Sequence, residues 1–393
     1  MTLFFRRRLL FLSVLFFFTS SCIKMSDNYL DDKDGKLFEA IRGFEQMGLF
    51  VDSFEMENRK GLLKLSDGTQ LRFKGSFFLA AIGFNGFWSI DGEKTTASCD
   101  EYNKDAIDYR SADFSQGDLM AVLEGYTYWD FIFYEKPPIR ITKTLYSYDP
   151  DDIQRGVNHR GYCTKAPENT LPAFRMSRLH GFKYVETDVR HTSDGVAVLL
   201  HDSSVNRTSN GEGEVDKLSF SQLSSLDFGS WKGKEFKNTK IPTFEEFLDL
   251  CSKIGLEPNI ELKDGTRKQI INIVSNVGKY GLKGKVRYIS FQKVLLDYVL
   301  DQDPEAYVEL LCGDVTSSVI KNAYSLLRGS NKVSVSASDY SIYSVNLCRN
   351  SGLPLCVWAV DSKSEILSLP DYISGVTSDA LHAGRVKYEA MFK

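Results

Sequence analysis

Residues 158–202 read NHRGYCTKAPENTLPAFRMSRLHGFKYVETDVRHTSDGVAVLLHD, and this stretch decides the fold. Val157-Asn158-His159 ends a short apolar strand. Between Glu168 and Leu179 the apolar residues Leu171, Phe174 and Leu179 recur near helical spacing, and Gly181 supplies a stop signal. Residues 184–188 read as the next strand, where period-two alternation puts Glu186 and Asp188 on one face. Ser193-Asp194-Gly195 turns the chain, and residues 196–201 read as a further apolar strand that ends at His201 and Asp202.

Paired acids at i and i+2, with histidines at strand ends, point to a divalent cation beside acid–base groups. A third acid stands in Pro258-Asn259-Ile260-Glu261-Leu262-Lys263, where Glu261 and Lys263 again share a face. Hard oxygen ligands favour Mg2+ or Ca2+ over zinc, which prefers His and Cys. A solvated strand face would account for Glu186 and Asp188 alone; the third inward acid argues against it. The seven cysteines show neither a C-x-x-C nor a zinc spacing, and Cys251, Cys348 and Cys356 in apolar stretches read as small buried hydrophobes.

Beyond Gln154 the rhythm is strand then helix. Further strands are expected at 286–290, 306–311, 332–336, 355–360 and 373–377, with helices at 243–253, 268–280 and 292–301. Eight strands in βα alternation predict a TIM-type (β/α)8 barrel over 151–393, with candidate residues at C-terminal strand ends where barrel enzymes place their sites. Residues 203–240, polar and carrying Gly211, Gly213, Gly229 and Gly233, read as a long insertion over the barrel mouth.

The first 150 residues have another texture. Arg6-Arg7-Arg8 followed by an apolar run of roughly ten residues fits an export signal and is short for a membrane span. Thr19-Ser20-Ser21-Cys22 then resembles a bacterial lipoprotein processing site, so residues 1–22 are expected to be a lipoprotein signal peptide. That implies a chain exported to the cell envelope and anchored to a bacterial membrane by a lipid on Cys22. Residues 23–36 are acidic and read as a tether, and 37–47 has helical spacing. Strand-like runs flanking Ser66-Asp67-Gly68-Thr69, and aromatic-rich segments up to 148, predict that 23–150 holds the tether and a small, mainly β accessory domain. Its aromatics read as core, with sugar or lipid binding as the other reading. Losing residues 1–21, which carry three arginines and no acids, takes the formal charge from −4 to −7, which argues against nucleic acid as partner.

The ordered run H-R-G, P-E-N-T, E-T-D, T-S-D-G, H-D, R-T and E-L-K, followed by Ile241-Pro242-Thr243-Phe244, Val357-Trp358-Ala359-Val360-Asp361 and Thr377-Ser378-Asp379, resembles the glycerophosphodiester phosphodiesterases. The resemblance covers about residues 155–385, on the length of a typical (β/α)8 barrel. Ala359 stands where the family often has Thr, and the usual Pro after Asp379 is missing; neither departure touches a catalytic group. The resemblance implies metal-dependent hydrolysis of glycerophosphodiesters to an alcohol and glycerol 3-phosphate. Glu186, Asp188 and Glu261 would hold the metal, and His159 and His201 would be the acid–base pair. Arg160, Lys263, Asn169 and Trp358 would bind substrate, the two cations restoring positive charge for an anionic ester, although Trp358 reads equally as core packing. Glu168 reads equally as a ligand or a helix cap. Two routes stay open: attack by the substrate's own glycerol hydroxyl through a cyclic phosphate, or attack by water. His180, His191 and His382 match no motif and read as surface or packing residues. Two other functions compete. A phospholipase acting on intact lipids is disfavoured by the polar insertion, and a glycan- or lipid-binding protein with an inactive barrel is disfavoured because His159, Glu186, Asp188, His201 and Glu261 are all present.

Overall fold

The hairpin expected around Ser66–Thr69 forms in the computed structural model of the chain. The structure describes residues 150–391 without a break and, before them, 30–31 and 36–143 with interruptions at 50, 58–59, 67, 76, 83–86, 91–92, 99–118, 126–127 and 134–135. The expected export signal, Cys22 and most of the tether lie outside the described residues. Of the tether, β1 (Leu30–Asp31) is a strand that pairs in parallel with β4 (Gln70–Lys74). With β2 (Val51–Glu57) and β3 (Lys60–Leu65) these give a four-stranded sheet ordered β1-β4-β3-β2. A second sheet of six strands joins β5 (Phe78–Ile82), β6 (Phe87–Ile90), β7 (Glu93–Ser98), β8 (Leu119–Glu124), β9 (Tyr128–Phe133) and β10 (Ile139–Thr142). Helix α1 (Lys36–Gln46) turns Leu37, Phe38, Ile41 and Phe44 inward, and they share one core with Phe73 of the first sheet and Phe131 and Ile139 of the second. Trp129, Phe131 and Phe133, from the aromatic-rich run, are buried in that core, as the packing reading expected.

From residue 150 the chain alternates. Helix α2 (Pro150–Ile153) leads to β11 (Arg155–Asn158), α3 (Leu171–Leu179), β12 (Tyr184–His191) and the short β13 (Ala197–Leu199). After α4 (Phe220–Ser225) and α5 (Phe244–Ile254) come β14 (Glu257–Leu262), α6 (Arg267–Lys279), β15 (Arg287–Ser290), α7 (Lys293–Gln302), β16 (Tyr307–Cys312) and α8 (Ser317–Tyr324). The chain ends with β17 (Val333–Ala337), α9 (Ile342–Ser351), β18 (Leu355–Val357), α10 (Lys363–Ser368), β19 (Ile373–Ser378) and α11 (Ala383–Met391). Strands β11, β12 and β14 to β19 pair in parallel, and β11 closes the ring by pairing with both β12 and β19. This is the predicted (β/α)8 barrel.

Local chemistry sets the boundaries. Thr243 and Glu246 form a capping box on α5, and Thr266 with Gln269 repeats it on α6. Gly181 takes φ +76° just after α3, a left-handed turn that glycine adopts without penalty. The strand expected at 196–201 is not a barrel stave. β13 runs antiparallel to β12, because the Ser193-Asp194-Gly195 turn is far too short for a parallel crossover. The insertion that follows packs its own small core from Val205, Val215, Leu223 and Phe228 against Val198 and Leu200. The main core lies between the barrel wall and its helices. Phe174 of α3 meets Phe247 of α5 with ring centroids 4.6 Å apart, both fully buried, and truncating either to Ala should cost about 3–5 kcal/mol. Cys251, Cys348 and Cys356 are buried, as expected. Among the described residues, no helix is long and apolar enough to cross a membrane.

Candidate active site

The alternation on β12 turns Glu186 and Asp188 into the barrel, and register places Asp188 directly beside Glu261 on β14. One oxygen from each of the three carboxylates lies within 4.8 Å of the others, and all three side chains are buried. Lys263 Nζ sits 3.0 Å from Asp188 Oδ1 and 2.6 Å from Glu261 Oε1. Arg160 Nε is 3.4 Å from Asp188 Oδ2. Glu186 Oε2 accepts the backbone N–H of Arg160 at 3.0 Å, whereas Glu186 Oε1 has no hydrogen-bond partner among the described residues. Burial, with the neighbouring Asp188 charge, pushes the Glu186 carboxyl up to about 8. Burial and the same charge push Glu261 up to about 7, although Lys263 opposes them. Burial also works against the Asp188 carboxylate, yet Lys263, Arg160, His201 and the Asn169 amide outweigh it and hold Asp188 below its usual range. One ammonium is therefore shared between Asp188 and Glu261. An orphaned buried oxygen in an all-carboxylate set, with two acids held in an unfavourable ionic state, fits a hard divalent cation.

Each candidate histidine has a carboxylate on Nδ1. His159 Nδ1 lies 2.7 Å from Asp379 Oδ1, and its Nε2 is 3.9 Å from Glu186 Oε2. Asp379 is itself fixed by its backbone N–H, which donates to Asp361 Oδ1 at 2.7 Å. His201 Nδ1 lies 2.8 Å from Asp202 Oδ1. A carboxylate on Nδ1 selects the tautomer and leaves Nε2 to exchange protons. Burial disfavours charge on His159, but the bond to Asp379 and the charge of Glu186 raise its affinity for a proton; burial dominates at His201 and lowers it.

The cleft they share encloses about 190 Å3. One side is charged (His159, Arg160, Glu186, His201, Glu261 and Lys263); the other carries Ile289, Phe291, Leu311 and Trp358, with Glu309 lower in the barrel. Trp358 stands on the cleft wall, and Phe291 meets it edge-on at 5.8 Å. Asn169 does not line the cleft. It is buried behind Asp188, its amide donating to Asp188 Oδ2 at 2.7 Å while its oxygen accepts from the Thr187 hydroxyl at 2.8 Å. The left-handed backbone at Asn169 (φ +54°) turns it inward, and it orients a carboxylate instead of meeting substrate. Glu168 is neither ligand nor cap: α3 starts after Thr170, and Glu168 accepts from Arg160 Nη1 at 3.0 Å and from Arg207 at 2.7 and 2.8 Å. His191 and His382 are buried packing residues, and His180 stacks on Tyr162 with centroids 4.1 Å apart.

The sequence reading gave no role to Asp379, Asp202, Arg207 or Phe291. Asp202 could have been found as the residue adjoining His201. Asp379 stands in the Thr377-Ser378-Asp379 motif, but its pairing with His159 becomes visible only once β19 is known to lie beside β11. Phe291, half-exposed after β15, looks in sequence like any loop aromatic.

A sequence model of the Glycerophosphoryl diester phosphodiesterase family matches residues 159–382. The chain is 30% identical over 221 residues to a glycerophosphodiester phosphodiesterase of Caldanaerobacter subterraneus subsp. tengcongensis, covering 53% of this chain and 87% of that one. A glycerophosphodiester phosphodiesterase of Bacillus subtilis is 30% identical over 251 residues, covering 58% and 83% respectively. Among solved structures, an Oleispira antarctica phosphodiesterase in complex with the product sn-glycerol-3-phosphate is similar at 25% identity and a TM-score of 0.53, covering 62% of this chain and 98% of that one.

Proposed function

Because the chain belongs to the glycerophosphoryl diester phosphodiesterase family, a group of phosphoric diester hydrolases, we propose that it splits a glycerophosphodiester into an alcohol and glycerol 3-phosphate. The observation that carries this reading is the buried Glu186–Asp188–Glu261 cage, with an unpartnered Glu186 oxygen, beside two histidines each held by a carboxylate.

Glu186, Asp188 and Glu261 would hold Mg2+ or Ca2+. Such a cation supplies Lewis-acid polarisation of a phosphoryl oxygen. Arg160 and Lys263 add positive charge on the same side of the cleft, where an anionic diester has to sit. Of His159 and His201, one takes the proton of the attacking hydroxyl and the other protonates the departing alcohol, each through Nε2. Trp358 offers an apolar face to the glycerol carbons.

Release of glycerol 3-phosphate from glycerophosphocholine and glycerophosphoethanolamine tests the reading, first with EDTA and then with added Mg2+ or Ca2+. Release that EDTA abolishes and either metal restores is expected. No release from either ester, with metal shown to bind, sinks it.

We also propose that residues 1–22 direct export and that a lipid on Cys22 tethers the protein to the cell envelope, with 23–150 as a separate accessory domain. The support is the sequence pattern alone. Cys22→Ala should move the protein from the membrane to the soluble fraction; an unchanged distribution would refute the anchor.

A further inference from the structure

The polar insertion after β13 sends one side chain toward the site. Arg207 Nε donates to Asp202 Oδ2 at 2.7 Å and its Nη2 to Asp202 Oδ1 at 3.1 Å. On its other side Nη1 donates to Glu168 Oε2 at 2.7 Å and Nη2 to Glu168 Oε1 at 2.8 Å. Both carboxylates are already committed to the cleft, Asp202 Oδ1 on His201 Nδ1 at 2.8 Å and Glu168 Oε1 on Arg160 Nη1 at 3.0 Å. A single guanidinium therefore joins a proton-transfer group to an anion-binding group through two carboxylates. We infer that Arg207 is a positioning residue that locks the His201–Asp202 pair and the Arg160–Glu168 pair into one working geometry. The inference rests on the function proposed above.

Two segments meet at this point: the loop after β11 brings Glu168, and the loop after β13 brings Asp202 and, five residues on, Arg207. Without the cation, two carboxylates would face each other, and each would be free to swing off its partner. The planar fork of arginine can grip two carboxylates at once, which a lysine ammonium cannot do in that geometry. Arg207 is 45% exposed and is not among the residues that line the cleft. A salt bridge that exposed adds little to stability. Its effect falls instead on how His201 and Arg160 are aimed, since partners of site groups typically cost 10- to 100-fold when removed, by the order of magnitude known for such outer residues. The bond from Arg207, supported by that from His201, holds Asp202 in its ionised state, the form that accepts from the imidazole.

The test is steady-state kinetics of glycerol 3-phosphate release by the full chain with saturating metal. Arg207→Ala should lose at least about tenfold in kcat/KM, through a lower kcat and a higher KM together. Asp202→Asn should lower mainly kcat, and Glu168→Gln should raise mainly KM. Added to the Asp202→Asn/Glu168→Gln protein, Arg207→Ala should cost no more than about threefold, because its effect passes through those two groups. A loss below tenfold for Arg207→Ala, or losses that simply add, would overturn the inference. If Arg207→Ala does not fold, Arg207→Lys decides: at least tenfold lost supports the clamp, and a smaller loss overturns it. A wild-type chain with no turnover would sink the proposed function itself, and that outcome is distinct from an active wild type with an indifferent Arg207.

Discussion

In the lower half of the barrel interior, Arg155 Nη2 donates to Asn259 at 2.8 Å and its guanidinium lies over the Tyr184 ring at 3.9 Å. Arg287 reaches Glu309 at 3.3 Å and lies over Tyr307 at 4.2 Å, while Ser334 donates to the same Glu309 oxygen at 2.6 Å. Toward the C-terminal end, Glu186, Asp188 and Glu261 crowd together, with one oxygen unpartnered and two acids pushed toward their neutral forms. Both levels bury charge in the same eight strands. Below, hydrogen bonds, an ion pair and aromatic faces surround the charges, although burial and the nearby Arg287 still work against the Arg155 cation. Above, the excess of negative charge has no internal remedy. Buried charge becomes a site when the protein leaves its neutralisation to something that arrives from outside.

The contrast can be broken by substitution. The largest effect belongs to the histidines: His159→Ala or His201→Ala should lower kcat by about 10^2- to 10^4-fold while metal still raises Tm. Turnover unchanged in both would remove the acid–base pair from the site. Next comes Arg287→Ala, which leaves Glu309 buried without its cation and should destabilise the fold by about 3 kcal/mol in urea melts. Its kcat per folded molecule should stay near wild type; lost turnover with intact stability would make the lower level part of the site.

The third effect is a pH dependence of metal binding. Glu186 and Glu261 hold protons until about pH 8 and about pH 7 respectively, raised above their ordinary values. A group raised in this way favours the folded, metal-free protein at low pH, and that stabilisation is lost as pH rises from the ordinary carboxylate range through the raised values. Metal requires both groups ionised, so its apparent affinity should fall about tenfold for the first unit below pH 8 and more steeply below 7. Calorimetric titration at pH 6, 7 and 8.5 measures this, and a flat profile would contradict the cage. Smallest of all, removing residues 23–149 should leave stability and kcat of the barrel near those of the whole chain, because both levels of charge lie beyond residue 150. An insoluble product would mean that the two parts share a core.

What the sequence disclosed follows the range of the interactions. Glu186, Asp188, Glu261 and Lys263 were legible because period-two alternation is a local rule, and apolar runs located every barrel strand. The strand ends were less sharp: β12 extends to His191 and β18 stops at Val357, since pairing with neighbours fixes the limits. β13 was found as a strand, but its antiparallel pairing with β12 was not legible. Asn169 was read as a substrate contact and Glu168 as a ligand or a helix cap; a left-handed Asn169 and an arginine 39 residues away send both elsewhere. Neither fact leaves a periodic trace in the chain.

The pairing of His159 with Asp379 spans 220 residues, and Asn158 donates to Ser378 O over the same separation. Glu186, Asp188 and Glu261, by contrast, come from β12 and β14, neighbours laid down early. The carboxylates thus need only the pairing of two nearby strands, whereas the His159–Asp379 pair needs the last strand beside the first. Loop closure over such a distance is slow compared with local pairing. The His159–Asp379 pair therefore exists only where the ring has closed.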